Sequence, residues 1–102
     1  MKYVYLIRKK NESKYKIGIS KNPITRIKQL QTGSDSELVL INVYKTENSI
    51  KVEKTLHNIY SHNNLNLEWF DLSLEDELKF VETCKKIDKN LKFLKNSNNF
   101  FI

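Results

Sequence analysis

The 102-residue chain holds one cysteine, one proline, one tryptophan and two glycines. Cys84 has no partner within its own chain, so an intrachain disulfide is excluded, and no cysteine and histidine cluster has zinc-ligand spacing. No run approaches the ~20 consecutive apolar residues that span a bilayer. The opening MKYVYLIRKK lacks the apolar core and small-residue cleavage site of a secretory signal. These absences predict a soluble, intracellular protein of a reducing compartment, with no membrane partner. Neither a repeat nor a linker divides the chain, whose length suits one domain with a modest core.

Positive charge is what the chain has in excess, and it is unevenly placed. Net charge is +6; residues 1–54 hold twelve Lys and Arg against five acids, whereas residues 55–102 hold six Lys against seven acids. Such one-sidedness is expected of a polyanion-binding face, with nucleic acid first among its partners. An A/T-rich coding sequence would also enrich lysine, but it does not account for the contrast between halves. Lys9, Lys10, Lys14, Lys21 and Lys28, with Lys16, are the candidate nucleic-acid contacts.

Local patterns place the elements. Residues 2–8 and 14–20 are rich in aromatic and β-branched side chains and read as an antiparallel hairpin. Asn22-Pro23 starts a helix that Thr32-Gly33 ends, with Ile27 and Leu30 toward the core. The near-continuous apolar run 38–44 suits a strand in the middle of a sheet. A helix is expected over about 49–61, with Val52, Leu56 and Ile59 packing and Glu53, His57 and Tyr60 on a second stripe. Residues 63–66 read as a loop and 68–72 as a short extended segment. Ser73, with Asp76 as an approximate capping box, opens a long amphipathic helix to Leu94 on which Leu74, Leu78, Val81, Cys84, Ile87, Leu91 and Leu94 recur. The tail NSNNFFI is expected to be loose or weakly docked.

Three residues of the basic half carry chemistry. Hydrolysis of a phosphodiester needs a water, an acceptor for its proton and positive charge at the phosphate oxygens. Tyr5, at the centre of the first strand, could orient the water or take its proton if nearby cations lower its pKa; it could equally be a packing residue. Arg26 is one of two arginines among eighteen basic residues, a bidentate donor suited to phosphate or to a neighbouring acid. Glu53 is a hard oxygen ligand for Mg²⁺ or a solvated surface acid. His57, one turn on, could bond Glu53 or a phosphate.

In order and spacing these residues resemble the GIY-YIG nuclease superfamily, in particular its compact branch in phages, large DNA viruses and bacteria. Tyr3-Val4-Tyr5 stands at the Gly-Ile-Tyr motif and Lys16-Ile17-Gly18 at Tyr-Ile-Gly; Arg26 follows Gly18 by eight residues and Glu53 stands at the family's glutamate. The second motif KIGIS, the helix end QLQTG and the segment Glu68-Trp69-Phe70 also match the compact branch. The resemblance covers roughly residues 3–72 and implies an α+β fold, a three-stranded antiparallel sheet flanked by helices. It makes 1–72 a nuclease core, with 73–102 packed on the same single domain as an added helix and tail. It implies that Tyr5 lies by the water, Arg26 binds phosphate and Glu53 holds one divalent ion, Mg²⁺ or Mn²⁺.

Departures are visible too. Lys16 replaces the second-motif tyrosine; Tyr15 beside it is a further catalytic candidate, though it lies on the opposite strand face unless a bulge intervenes. Lys16 could bind phosphate or lower the pKa of Tyr5. Leu30 stands where the family has a histidine, and the family's late polar residue could be Asn63, Asn64, Asn66 or Glu68. The reading that follows is a metal-dependent endonuclease acting on nucleic acid, DNA before RNA. Its rivals are a catalytically weak nucleic-acid-binding module on the same scaffold and a homodimeric adaptor paired through the 73–94 helix.

Overall fold

Two strands that alternate in character pair first. In the computed structural model, which describes residues 2–97, β1 (Lys2–Lys9) and β2 (Lys14–Ser20) run antiparallel, from Tyr3 opposite Ser20 to Arg8 opposite Tyr15, with no break in register. Alternation sends Val4, Leu6, Tyr15 and Ile17 into one apolar cluster and Tyr5 and Ile7 into another. The sheet thus separates two cores.

The α1 helix (Pro23–Thr32) is bounded as its sequence dictates. Asn22 accepts a hydrogen bond from the Thr25 amide, Pro23 occupies the first turn and Gly33 ends the helix. Ile27 and Leu30 pack on the smaller cluster of Tyr5, Ile7 and Leu38, as expected. β3 (Leu38–Thr46) pairs antiparallel with β1, with a register shift opposite Leu6 and Ile7. It is an edge strand, not a middle one. Its apolar run reflects cover on both faces: Leu40 and Val43 pack on the Tyr5 side, Ile41 and Tyr44 on the other.

The fold class is α+β, but the sheet has five strands rather than three, in the order β3-β1-β2-β5-β4. β5 (Trp69–Asp71) pairs with the outer edge of β2, and β4 (Asn64–Asn66), read from sequence as a loop, pairs with β5. Strands of three residues are too short to display a period-two pattern, so this hairpin is set by the edge that receives it.

Two helix expectations need correction. The α2 helix (Ser49–Ile59) ends two residues early, and the turn at Tyr60 reverses the roles of its last residues. Tyr60 is buried with its ring edge-on to Phe70, whereas Ile59 is half exposed. The long helix is likewise two: α3 (Leu74–Leu78), opened by the Ser73–Asp76 capping box, and α4 (Phe80–Ser97). The break at Lys79 leaves Leu74 and Leu78 exposed and brings Phe80, which the pattern reading passed over, into the main core with Cys84 and Ile87. Val81 and Leu91 pack against that core; Leu94 is exposed. Beyond Ser97, the tail lies outside the described residues.

Asp88 fastens α4 to the sheet. Its buried carboxylate accepts hydrogen bonds from Tyr44 Oη at 2.8 Å, Thr46 Oγ1 at 2.9 Å and Asn48 Nδ2 at 2.8 Å. No helix among the described residues is long and apolar enough to cross a membrane.

Candidate active site

Tyr5 and Gly18 are directly opposite across β1 and β2. The Tyr5 ring lies over Gly18: a methyl group there would fall 2.6 Å from Tyr5 Cζ, closer still to the hydroxyl oxygen, and 3.0 Å from Glu68 Oε1. Glycine is therefore needed for close approach, not for an unusual backbone. It lets a phenol and a carboxylate meet above the strand.

Around that point the other groups gather. Arg26, on α1, lies near enough to the Tyr5 hydroxyl to favour its anion, and its guanidinium also donates to Gln29 Oε1 at 3.5 Å. Lys16, next along the same face of β2, is nearly buried and lies 3.6 Å from Glu68 Oε1 through its Nζ. Glu53 reaches the basin electrostatically from α2, influencing Tyr5 and feeling both Lys16 and Glu68. Tyr5, Lys16 and Glu68 thus adjoin Gly18, and Arg26 and Glu53 lie within electrostatic reach of them, five side chains spread between positions 5 and 68 around one basin. Glu68 was one of four candidates for the late polar position, and its proximity to Tyr5 and Lys16 singles it out. The signal available in sequence was its adjacency to Trp69-Phe70, which had to dock somewhere.

The electrostatics differ from expectation in one respect. Burial pushes the Tyr5 phenol above its ordinary range; the neighbouring Arg26 pulls it down, and the Glu68 and Glu53 charges add to the rise. The neutral phenol is thus favoured over the lowered, basic one that the lysine-rich sequence implied. The Glu53 carboxyl is also raised, first by burial; His57 opposes the rise, and Glu68 reinforces it.

His57 and Tyr15 are engaged elsewhere. His57 Nε2 lies 2.9 Å from the Ile17 carbonyl oxygen, to which it must donate, and the imidazole packs on Phe70 with ring centroids 5.0 Å apart. It adjoins Glu53 but spends that nitrogen on joining α2 to β2. Tyr15, offered from sequence as a catalytic candidate, points to the opposite face, because the β1–β2 ladder has no bulge to turn it. Its hydroxyl donates to Glu77 Oε1 at 2.7 Å, beside the Arg8–Glu77 ion pair at 2.9 Å.

Among the candidate phosphate contacts, Lys9 lies beside the Trp69 ring, its Nζ 5.0 Å from the centroid. Lys10 and Lys14 make exposed ion pairs with Glu37 and Glu12 at 3.3 Å and 3.4 Å, weak associations that a polyanion can replace. Lys21 and Lys28 are exposed on either side of the start of α1 and along it.

The divalent ion that the resemblance implies can be tested against these groups. No cluster of three or more His, Cys, Asp or Glu able to hold a metal occurs among the described residues. A Mg²⁺ site, however, commonly takes one or two carboxylates and completes its shell with water and substrate phosphate. Glu53, partly buried and raised by burial and by a neighbouring carboxylate, is a group whose anion a cation would relieve. Glu53 is the carboxylate that would hold one such ion.

The family model that matches the chain is that of the T5orf172 domain, over residues 2–87. That span runs beyond residue 72, through α3 and into α4. No curated protein and no solved structure matches the chain.

Proposed function

The chain belongs to the T5orf172 domain family, a domain of phage and bacterial homing-endonuclease-like proteins, and we propose that it is a divalent-metal-dependent endonuclease of the GIY-YIG type acting on DNA. The observation that carries this reading is the meeting of Tyr5, Lys16, Arg26, Glu53 and Glu68 in one basin. Packing accounts for the Tyr5 ring, which is a core residue, but not for two cations and two carboxylates from separate elements gathering about its hydroxyl.

In this reading Arg26 and Lys16 bind the non-bridging oxygens of the scissile phosphate. Arg26, beside the Tyr5 hydroxyl, offers N–H donors to its oxygen, which leaves the phenol's own proton to orient the attacking water. Glu68, across Gly18 from that hydroxyl, takes the water's proton as the new phosphorus–oxygen bond forms and the bond to the departing oxygen breaks. Glu53 would hold a divalent ion, which would supply positive charge to stabilise the transition state.

The test is incubation of pure protein with plasmid, linear, branched and single-stranded DNA and Mg²⁺ or Mn²⁺, beside Glu53→Ala and Arg26→Ala. Nicking that disappears with EDTA and in both variants is expected. Undiminished nicking by Glu53→Ala would overturn the assignment of the ion.

The raised Tyr5 phenol favours one second reading, a binding module of weak catalytic power. It predicts a steep, linear fall of log affinity with log salt and no nicking under any metal.

A further inference from the structure

Trp69 has more neighbours than its core role requires. One side of its indole packs on the cluster of Tyr5, Ile7 and Leu38, yet the residue is only partly buried. Two ammonium groups lie over the ring, Lys9 Nζ at 5.0 Å from the centroid and Lys16 Nζ at 5.6 Å, so a base that stacks there displaces the more exposed Lys9. Lys16 is nearly buried, and Lys9 is partly open to solvent. Trp69 also walls two clefts that Lys9 shares. One, of about 380 Å³, lies between the indole and the C-terminal end of α1 at Leu30, Thr32 and Gly33. The other, of about 360 Å³, lies between the indole and Leu65 and Asn66 of β4.

We propose that the cleft between Trp69 and Gly33 holds an unpaired nucleobase, stacked on the indole, with Lys9 turned to the adjoining phosphate. The inference rests on the nucleic-acid reading of the basin and names the form of strand that the basin takes. An aromatic face flanked by cations is the combination that holds single strands, because every base has a π-face and every nucleotide a charge. In a duplex, base faces are covered by their neighbours, so an indole set in a cleft meets one only when the nucleotide is unpaired. The cleft has the volume of a small-ligand site, ~300–1,000 Å³.

Placement ties this cleft to the basin. Trp69 and Lys16 are cross-strand partners, and Lys16 reaches Glu68 at 3.6 Å. A strand with one base on Trp69 therefore passes its backbone over Lys16 toward Tyr5 and Arg26. The helix end QLQTG finds a use here as well. Gln31 ties the loop after α1, accepting from the Leu38 amide at 2.7 Å and donating to the Ser36 carbonyl at 2.9 Å, which fixes the far wall. Gly33 then leaves space, since a Cβ there would meet nothing within 4 Å.

Trp69 is the sole tryptophan, so intrinsic fluorescence reports this position alone. The protein is titrated without divalent ions with a single-stranded oligonucleotide, an abasic oligonucleotide of equal length and a blunt duplex. Base-containing single strand should quench the emission; the abasic strand should bind with little quenching, and the duplex should quench least. Trp69→Ala should weaken single-strand binding roughly ten- to a hundred-fold, and Trp69→Phe much less. Gly33→Leu fills the cleft from a backbone that any residue can adopt, φ −100°, and should weaken binding without altering the fold.

Equal quenching by the abasic strand or the duplex, wild-type affinity in both Gly33→Leu and Trp69→Ala, or no binding at all would overturn the proposal. Glu53→Ala serves as the control, because it should lose nicking and keep quenching. Quenching without nicking in the wild type sinks only the nuclease reading; nicking without base-dependent quenching sinks only the stacking site.

Discussion

The phenol of Tyr5 occupies the space that a side chain at Gly18 would need. The two residues face each other across the central strands, and the ring is 1% exposed, so it has no room to retreat. Gly18→Ala should therefore lower unfolding stability by about 1–3 kcal/mol, the usual cost of overpacking, and displace the Tyr5 hydroxyl from Arg26. Urea unfolding checks the first effect. A Gly18→Ala protein with an unchanged midpoint would show that the ring is not held there.

Glu53 gives a pH signature. Its carboxyl is raised in the folded chain, chiefly by burial, so the folded state favours the proton. A raised group contributes stability below its unfolded pKa and loses that contribution as pH rises through the folded value. Glu53→Gln, which stays neutral throughout, should melt higher than the wild type near neutral pH, and the difference should shrink toward about pH 4. Mg²⁺ should raise the wild-type melting temperature and leave that of the variant unmoved. A wild type more stable than Glu53→Gln at neutral pH, without metal, would reverse the sign of the argument.

Asp88 should behave in the opposite sense. Burial alone would raise its carboxyl, but hydrogen bonds from Asn48, Tyr44 and Thr46, with help from Lys92, outweigh burial and hold it low. Its contribution is present above the unfolded pKa and is lost as pH falls through the folded one. Asp88→Ala strands three donors and should cost at least ~2 kcal/mol at neutral pH. Its deficit relative to the wild type should narrow in acid. Thermal melts across the acid range decide the matter.

Leu67 sits at φ 51° and is 83% exposed, so a bulky side chain holds a left-handed backbone with no burial in return. Leu67→Asn should raise stability by roughly 1 kcal/mol, the left-handed penalty that asparagine mostly avoids. A fall in the urea midpoint would mean that the leucine makes an apolar contact worth more than the strain.

Where local chemistry decides structure, the sequence could be read directly. Asn22, Pro23 and Gly33 bound α1, and Ser73 with Asp76 opens α3, because caps act through bonds to their own neighbours. The alternation in β1 and β2 likewise put Tyr5 and Lys16 on one face and Tyr15 on the other. What could not be read depends on distant partners. β4 and β5 exist because β2 offers an unpaired edge. Leu74 and Leu78 fit a helical stripe, but the turn at Lys79 follows from Glu77 meeting Arg8 and Tyr15 while Phe80 enters the core. The candidate site was legible in Tyr5, Arg26 and Glu53. Glu68 needed the docking of a short strand.

The dependence of the basin on β5 has a temporal consequence during translation. Tyr5, Lys16 and Gly18 are synthesised first, and Glu68 and Trp69 follow Gly18 by about fifty residues. A nascent polypeptide cannot bring Glu68 to Lys16 until the sheet receives its outer hairpin, so this cluster of groups forms only once that hairpin docks.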